Sequence, residues 1–263
     1  MRRLTAAVCL TALAVVPACS RKTAEVLGGY YVSGDKVFWS GGVDSPGSRE
    51  VVGADAASFH SIDNNFGRDK SHVYYDGTEL AGADVSTFEI IGGSPFAKDK
   101  FHVWLAGHSI SDDPTHFQPL DGGLSKDSNA VYCNDGSVIS NDPSHFAILR
   151  VPNTDTSQNF TKDSRAVYFM CRPITGADPA TFHLQDNSFF GYGADDQRVY
   201  LDGNTIAGAD PHTFHVLYDN DWCAADDQHA YHRESVIPNA DPRHFPPGQP
   251  VTGCSDTDIT FGR

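Results

Sequence analysis

The sequence is poor in basic residues and in long apolar runs. Of its 263 residues, 19 are Lys or Arg and 34 are Asp or Glu, so that the formal net charge is −15 at pH 7. This excess of acidic residues disfavours nucleic acid and anionic membrane surfaces as partners. The most apolar stretch, residues 4–16, is too short to span a bilayer as a helix.

The sequence also lacks the short motifs of common enzymes. It contains no nucleophile elbow, no phosphate-binding glycine loop after a strand and no His-Glu-x-x-His pair. Carboxylates are so numerous that no single pair stands out as the acid and base of a glycosidase. These patterns predict no catalytic residues and no cofactor.

What the sequence has instead is a repeat with a period of roughly 28 to 36 residues, which is typical of solenoids and propellers. Each copy begins at an aspartate, here called the leading aspartate. The first to seventh repeats begin at Asp35, Asp69, Asp99, Asp127, Asp163, Asp195 and Asp226.

Each repeat then follows one pattern of apolar residues. An aromatic residue follows the leading aspartate, at Phe38, Tyr74, Trp104, Tyr132, Tyr168, Tyr200 and Tyr231, and the residue before it is usually Val. An aliphatic residue comes next, at Leu80, Ile110, Val138, Ile174, Ile206 and Ile237. β-Branched and aromatic residues favour strands, and Asp76-Gly77 and Asp202-Gly203 favour two-residue type I′ turns. The pattern therefore predicts short hairpins.

Each repeat closes with an aspartate four residues before a phenylalanine. These closing pairs are Asp55/Phe59, Asp84/Phe88, Asp113/Phe117, Asp142/Phe146, Asp178/Phe182, Asp210/Phe214 and Asp241/Phe245. Asp, often followed by Pro, is a cap for a single helical turn, after which the Phe can point inward. One unit is too small to bury its own aromatic residues, so neighbouring units are expected to cover one another.

The predicted fold is an all-β tandem array of about seven short-strand repeats with single helical turns between them. An open β array suits the variable spacing, and a seven-bladed propeller is the alternative that suits the count. About 32 residues per repeat favours the open array, because a propeller blade usually needs about 40. The seven repeats span residues 30–245, and residues 246–263 are expected to cap the array.

The segments DKSHVYYDG, KDKFHVWLAG and KDSNAVYCNDG resemble the repeats of the DKNYY family of bacterial envelope proteins. The resemblance runs from about Asp35 to Phe245. The Lys after the leading aspartate is kept at Lys36, Lys70 and Lys100, and later repeats have Ser or Asp there. The resemblance implies an envelope protein and carries no catalytic residues onto this chain.

The N-terminus resembles the signal of a bacterial lipoprotein. Arg2 and Arg3 precede the apolar run, and residues 16–19 read Val-Pro-Ala-Cys, a lipobox-like sequence. This predicts a signal peptide over residues 1–18, lipidation of Cys19 and a short tether over residues 19–29. Ser20 resembles the residue that follows the lipidated cysteine in outer-membrane lipoproteins. An ordinary signal peptide that leaves a free Cys19 is the alternative.

Four further cysteines remain in the mature chain, in an oxidising compartment that favours disulfides. Cys133 and Cys171 are predicted on corresponding strands of adjacent repeats, facing the same side. Cys223 and Cys254 would then join the last repeat to the tail. The predicted pairs are therefore Cys133–Cys171 and Cys223–Cys254, out of three possible pairings.

The chain has 12 histidines, and most of them recur one per repeat beside turns. This spacing indicates exposed turn residues and no metal site, although Cys223, His229 and His232 could in principle form a zinc site. Asp is likewise explained by turns and caps, since no segment has the dense ligand spacing of a calcium loop.

The function predicted from the sequence is a non-catalytic, lipid-anchored envelope protein, placed at the outer membrane. Its repeat domain would bind a protein or a glycan, or act as a spacer. The alternatives are a protein that handles metal or other cations, and a hydrolase with its site in a propeller channel. Two insertions, residues 41–50 and 152–159, are candidates for determining specificity. Aromatic residues six after the leading aspartate, Tyr75 and Phe169, would indicate glycan or protein binding if exposed.

Overall fold

The computed structural model describes residues 29–41, 47–151, 157–185, 191–218, 220 and 222–262. The predicted signal peptide, the lipidated Cys19 and nearly all of the tether lie outside the described residues. So do residues 42–46 and 152–156 of the two predicted insertions. The chain divides into two compact units, one of residues up to Lys70 with Tyr74–Glu79 and one of Ser71–Val73 with Leu80–Arg263.

The N-terminal unit is built from two small antiparallel sheets. The first has the order β1-β2-β3 and the second β4-β5-β6-β7. Their strands are β1 (Gly29–Ser33), β2 (Lys36–Ser40), β3 (Ser48–Glu50), β4 (His60–Ser61), β5 (Phe66–Arg68), β6 (Val73–Tyr75) and β7 (Thr78–Glu79).

The second unit contains five four-stranded sheets and one hairpin, in which strands consecutive in sequence pair antiparallel. The first three sheets are β8 (Glu89–Ile90), β9 (Phe96–Lys98), β10 (Val103–Leu105) and β11 (His108–Ser111); β12 (Gln118–Pro119), β13 (Ser125–Lys126), β14 (Val131–Tyr132) and β15 (Val138–Ser140); and β16 (Ala147–Arg150), β17 (Ser157–Lys162), β18 (Val167–Phe169) and β19 (Arg172–Pro173). The others are β20 (His183–Leu184), β21 (Tyr192–Ala194), β22 (Val199–Leu201) and β23 (Asn204–Thr205); β24 (His215–Tyr218), β25 (Cys223–Ala225), β26 (Ala230–His232) and β27 (Ser235–Val236); and the hairpin β28 (Val251–Cys254) and β29 (Ile259–Phe261).

The prediction of an all-β array of short-strand repeats is confirmed. The described residues form eight small sheets, because the tail makes a hairpin of its own, and no strand pairing among them closes a barrel. In the second unit, contacts between sheets join neighbours along the chain, such as β16 with β20 and β24 with β28. Short 3-10 turns cover Asp121–Gly123 and Pro242–His244. Within the described residues, no helix is long and apolar enough to cross a membrane.

The closing turns are single helical turns, as predicted. The carbonyl of Asp178 accepts hydrogen bonds from the N–H groups of Thr181 and Phe182 at 3.3 and 3.0 Å, and that of Asp210 does the same three and four residues on. The Asp-Gly turns are also as predicted. Asp76 and Asp202 have φ of 44° and 49°, and φ is also positive at Gly77 and Gly203. A type I′ turn requires this left-handed backbone.

The core is shared between neighbouring repeats. Phe88, Phe182 and Phe214, which were predicted to be buried, are 6%, 3% and 5% exposed. The Phe214 ring lies 5.4 Å from that of Tyr192 in its own repeat and 5.8 Å from that of Tyr231 in the next. A closing Phe therefore packs between two repeats, and each aromatic burial contributes roughly 1.5–3 kcal/mol.

Two residues that the repeat pattern aligns with the others differ from them in burial. Asp35 is exposed and occupies the two-residue turn between β1 and β2, which pairs Ser33 with Lys36. The first hairpin is therefore too short to hold a leading aspartate in the buried position. Val138, assigned to the buried aliphatic position, is 52% exposed, because a bulge in the β14–β15 pairing places Ser140 opposite Val131.

Candidate functional site

Six leading aspartates are buried inside the array, although aspartate is usually a surface residue. They are Asp69, Asp99, Asp127, Asp163, Asp195 and Asp226, between 1% and 5% exposed. A buried carboxylate needs hydrogen bonds to each of its oxygens. We call each leading aspartate, together with its bonding partners, a joint.

One oxygen of the leading carboxylate in a joint accepts hydrogen bonds from the turn that follows the aspartate. Oδ1 of Asp226 accepts hydrogen bonds from the N–H groups of Gln228 and His229, both at 2.7 Å. Asp195 does the same with Gln197 and Arg198, both at 2.8 Å. Asparagine and aspartate side chains commonly bond to backbone two or three residues ahead, which explains the preference for Asp at this position.

The second oxygen binds the aromatic residue five positions on. Phenol oxygens donate to Oδ2 of the leading aspartate at 2.6–2.8 Å, in Tyr74, Tyr132, Tyr168, Tyr200 and Tyr231. Burial, followed by the bond to the carboxylate, raises the pKa of Tyr200 to about 12. The third repeat differs, since the buried indole Nε1 of Trp104 has no hydrogen-bond partner among the residues that the structure describes.

The same oxygen also binds the preceding repeat. In four joints it accepts the backbone N–H of the preceding closing aspartate at 2.9–3.1 Å: Asp55 to Asp69, Asp84 to Asp99, Asp178 to Asp195 and Asp210 to Asp226. We call these direct joints. Burial acts to raise the pKa of Asp195, but the N–H of Asp178 and the other donors outweigh it, and the pKa lies below its usual value.

Two joints use a serine hydroxyl instead, and we call them serine joints. Ser111 donates to Asp127 at 2.5 Å, and Ser140 donates to Asp163 at 2.6 Å. Each hydroxyl in turn accepts, at 3.0 Å, the N–H of the closing aspartate two residues on. The hydroxyl therefore relays the link that is direct in the other joints.

The joints leave little room beside the closing phenylalanine. A Cβ built on Gly193, two residues before Asp195, would lie 2.5 Å from the Cζ atom of Phe182, and so only Gly fits against the fully buried ring. The serine joints have Ser125 and Thr161 at this position, and their closing rings are only half-buried. Ring burial does not follow from this residue alone, since Phe59 is half-buried although its ring faces Gly67.

Both predicted cysteine pairs lie at disulfide distance. The Cα atoms of Cys133 and Cys171 are 6.3 Å apart, and those of Cys223 and Cys254 are 5.8 Å apart. The first pair joins the fourth and fifth repeats, and the second joins the seventh repeat to the tail hairpin.

The predicted placement of Cys171 on a strand was wrong. It is the second residue of the turn between β18 and β19, with φ of 65°. Cys133 directly follows β14, where a longer hairpin begins with a bond between the N–H of Cys133 and the carbonyl of Ser137. Because the two hairpins differ in length, residues at different positions of their repeats meet.

The histidines named as a possible zinc site are engaged elsewhere. His229 lies 3.7 Å from Asp226, and the Nδ1 of His232 lies 2.6 Å from Asp256. Cys223 is paired with Cys254. Across the described residues, no group of three or more His, Cys, Asp or Glu is placed to hold a metal ion.

A cleft of about 680 Å³ lies at the hairpin turns of the fifth and sixth repeats, where residues that do not recur, such as Met170 and Arg172, adjoin recurring ones such as Ile174. It is lined by Phe169, Met170, Arg172, Pro173, Ile174, Asp202, Gly203 and Asn204. Met170 is 61% exposed, whereas Phe169 is half-buried, with its ring 4.8 Å from that of Phe160. The aromatic position six residues after the leading aspartate is therefore not an exposed row.

The cleft combines an apolar floor with charged groups at its edge. The guanidinium of Arg172 has no hydrogen bond or ion pair within the described parts of the chain, and burial raises the pKa of Asp202. Cys171, between Met170 and Arg172, ties this edge to the fourth repeat. An apolar surface with a few polar groups is typical of ligand-binding sites.

A second kind of recess recurs beside the closing turns, at corresponding places in the third and fourth repeats. We call these recesses the closing-turn grooves. The third-repeat groove has a volume of about 430 Å³ and includes Glu89 and Lys98. The fourth-repeat groove has a volume of about 570 Å³ and includes Gln118 and Lys126 at the same positions.

The DKNYY family model matches the chain over residues 29–108 and again over residues 96–235. Together these matches cover every joint and end before the tail hairpin. No curated protein and no solved structure matches the chain.

Proposed function

Because this chain belongs to the DKNYY family, we propose that it is a non-catalytic, lipid-anchored protein of the bacterial envelope. Its repeat domain serves as a binding module for a protein or a glycan, with the array acting as a spacer. The observation that carries the proposal is the hairpin-turn cleft, in which Met170, Arg172 and Pro173 have no counterparts in the other repeats.

The joints support a role without catalysis. The carboxylates and phenols that recur through the array are the groups that could act as acids or bases. Oδ1 and Oδ2 of Asp226 are already bonded to the backbone and to Tyr231, and Asp195 has the same partners in its own joint. These groups hold the repeats together, and ligand contacts are left to the residues between them.

The anchor follows from the lipobox-like sequence before Cys19. Acyl chains on Cys19 hold the protein on the membrane, and the short tether keeps the repeat domain near the bilayer. Ser20 directs the protein to the outer membrane. Labelling cells with radioactive palmitate tests this: the protein should incorporate the label, and a Cys19→Ala variant should lose both the label and the membrane fraction. A soluble wild-type protein would contradict the anchor.

The binding role is tested with the whole chain, purified in detergent and immobilised. Envelope extract is divided into an untreated sample and a protease-treated sample, so that a retained protein is distinguished from a retained glycan. The wild-type chain should retain a specific ligand from one of them. Met170→Glu, which places a charge at the edge of the cleft, should reduce retention at least about ten-fold.

The matched control is Val52→Glu, since Val52 is 84% exposed and belongs to the N-terminal unit. This variant should retain the ligand like the wild type. Equal loss in both variants would mean that the ligand responds to charge in general, and no retention by the wild-type chain would remove the binding role.

A further inference from the structure

The closing-turn grooves differ in how they use one lysine. Strand pairing sets Lys98 directly opposite Glu89 in the third repeat and Lys126 directly opposite Gln118 in the fourth. Side chains at such cross-strand positions are in contact range. The residue opposite the lysine is therefore a carboxylate in the third-repeat groove, Glu89, and an amide in the fourth-repeat groove, Gln118.

The corresponding lysines of three successive repeats have three different surroundings. The Nζ of Lys98 lies 3.3 Å from a Glu89 carboxylate oxygen. The Nζ of Lys162, in the fifth repeat, donates to the carbonyls of Pro179 and Phe182 at 2.9 and 3.1 Å. The ammonium of Lys126 has no hydrogen bond or ion pair within the described parts of the chain.

Two carboxylates line the fourth-repeat groove, and both are already engaged. Asp127 is the buried aspartate of a serine joint. Asp142 accepts from the hydroxyls of Ser144 and Ser164 at 3.0 and 2.5 Å and lies 2.7 Å from the Nδ1 of His145. These contacts occupy the oxygens that could otherwise compete for the Lys126 ammonium.

The groups left for a ligand are mainly donors. The amides of Gln118, Asn129 and Asn141 line the groove with Lys126, and their side chains form no hydrogen bonds within the described residues. His116 also lines it, but its Nδ1 donates to Asp113 at 2.8 Å, so that Nε2 is an acceptor in the neutral ring and is not counted among the donors. An ammonium beside several N–H donors suits an oxyanion, which accepts without donating.

We propose that the fourth-repeat closing-turn groove binds an oxyanion, the carboxylate or phosphate group of an acidic glycan, through Lys126 and the amides of Gln118, Asn129 and Asn141. This proposal rests on the binding role proposed above and adds to it a second site, distinct from the hairpin-turn cleft, with its own ligand chemistry. The third-repeat groove does not bind such a group, because Glu89 already neutralises Lys98.

Two substitutions test the groove from opposite directions. Lys126→Gln removes the charge. Gln118→Glu leaves Lys126 in place but installs the carboxylate that the third repeat has, so that Lys126 becomes paired. Lys98→Gln is the matched control, since it removes an equivalent lysine that is already paired. All three residues lie on short strands with exposed or half-buried side chains, and none belongs to a joint.

The measurement is a nuclear magnetic resonance titration of the whole chain in detergent at constant ionic strength. The probes are inorganic phosphate, a glucuronate oligomer and a neutral glucose oligomer of the same length. The side-chain amide signals of Gln118, Asn129 and Asn141 should shift saturably with an oxyanion probe and not with the neutral one. Lys126→Gln and Gln118→Glu should weaken the Kd at least about five-fold, while Lys98→Gln leaves it unchanged.

Saturation by glucuronate alone would identify a carboxylate source, and saturation by phosphate alone a phosphate source; both support the proposal. No saturable shift, or an equal shift in Lys126→Gln, would mean an adventitious ion only and would overturn it. Failure here differs from failure of the proposed function, because retention of an envelope ligand that depends on Met170 would stand without any oxyanion binding.

Discussion

The direct joints and the serine joints both supply a hydrogen bond from the preceding repeat to a buried carboxylate, but from different donors. At a direct joint such as Asp178 to Asp195, a backbone N–H reaches the buried carboxylate, and the aliphatic Ile174 fills the space beside the strand. At a serine joint, Ser140 takes the aliphatic position, its hydroxyl reaches Asp163, and the closing turn follows two residues sooner. The loop has been shortened without losing the bond to the carboxylate.

This difference shows which part of the repeat is fixed. The leading carboxylate and its own turn are the same in both kinds of joint, and a tyrosine binds the carboxylate everywhere but in the third repeat, whereas the donor from the preceding repeat is exchanged. The serine joints have larger residues beside the closing ring, such as Thr161, and their rings are less buried than those of Phe88, Phe182 and Phe214 at direct joints. We therefore expect the direct joints to be more sensitive to changes in packing, and both kinds to depend equally on the carboxylate.

Removing a leading carboxylate should have the largest effect. Asp195→Ala would leave the Tyr200 hydroxyl and the N–H groups of Asp178, Gln197 and Arg198 without their acceptor. We expect a loss of about 3–5 kcal/mol in the free energy of unfolding, measured by urea denaturation. Asp163→Ala should cost as much.

The control for this experiment is Asp35→Ala, since Asp35 is exposed in a hairpin turn. Its effect should stay within about 0.5 kcal/mol. A loss at Asp35 as large as that at Asp195 would show that burial of the carboxylate is not what makes it important.

The Cys133–Cys171 bridge spans a serine joint, and its removal should have the next largest effect. The two cysteines are 38 residues apart in sequence, and closing a loop of this size is worth about 2–4 kcal/mol. Cys133→Ser should lower the free energy of unfolding by this amount under oxidising conditions and not under reducing ones. Non-reducing peptide mapping checks the pairing, and a free thiol at Cys133 in the wild-type protein would contradict it.

Removing the relay serine tests whether the hydroxyl is required. Ser140→Ala would take one donor from Asp163 and leave the N–H of Asp142 without an acceptor. We expect a loss of about 2–3 kcal/mol. Ser137→Ala, which removes a hydroxyl that bonds within an exposed turn, is the control and should change little. Equal stability of the two variants would show that the shortened loop does not depend on the relay.

The tyrosines predict an alkaline limit to stability, with the smallest effect for any single residue. Burial, followed by the Asp163 carboxylate, raises the pKa of Tyr168 to about 12. The bond therefore contributes fully below the unfolded value of 10.0 and is lost as the pH rises towards 12. Tyr168→Phe should cost about 1–2 kcal/mol at pH 7, and it should make the free energy of unfolding fall less steeply between pH 10 and 12. An unchanged slope would contradict this.

Much of the fold was predictable because its signals are local. The Val-aromatic strands, the Asp-Gly turns and the capped closing turns each follow from a few adjacent residues. The strands before the leading aspartates were missed, because most of them are short and four contain Gly or Ala, as in Phe66-Gly67-Arg68. The apolar residue three before each leading aspartate, such as Phe160 or Tyr192, was the available signal, and both of these side chains are fully buried.

The joints themselves were not predicted, because their partners come from another repeat. The leading aspartates look like ordinary turn residues in sequence, and their burial depends on donors about 14 to 23 residues earlier. Because Val138 was aligned with the aliphatic residues, Ser140 was not recognised as the residue in the buried position. That position lies two residues later in this repeat, where the hairpin is longer and the loop to the closing turn is shorter. The cleft and the grooves also form between strands or repeats, and so no single segment of the sequence contains either.

The joints also affect how such a chain can change its length. Excising the segment from Asp195 to the residue before Asp226 would bring the closing turn at Asp178 to Asp226, and both ends are of the direct kind. A deletion that brought Ser140 to Asp195 would instead place the short loop of a serine joint, from Ser140 to Asp142, at a leading aspartate whose own joint uses the longer loop from Ile174 to Asp178. Whole repeats can therefore be duplicated or deleted only between two joints of the same kind. This requirement limits how the number of repeats can change during evolution.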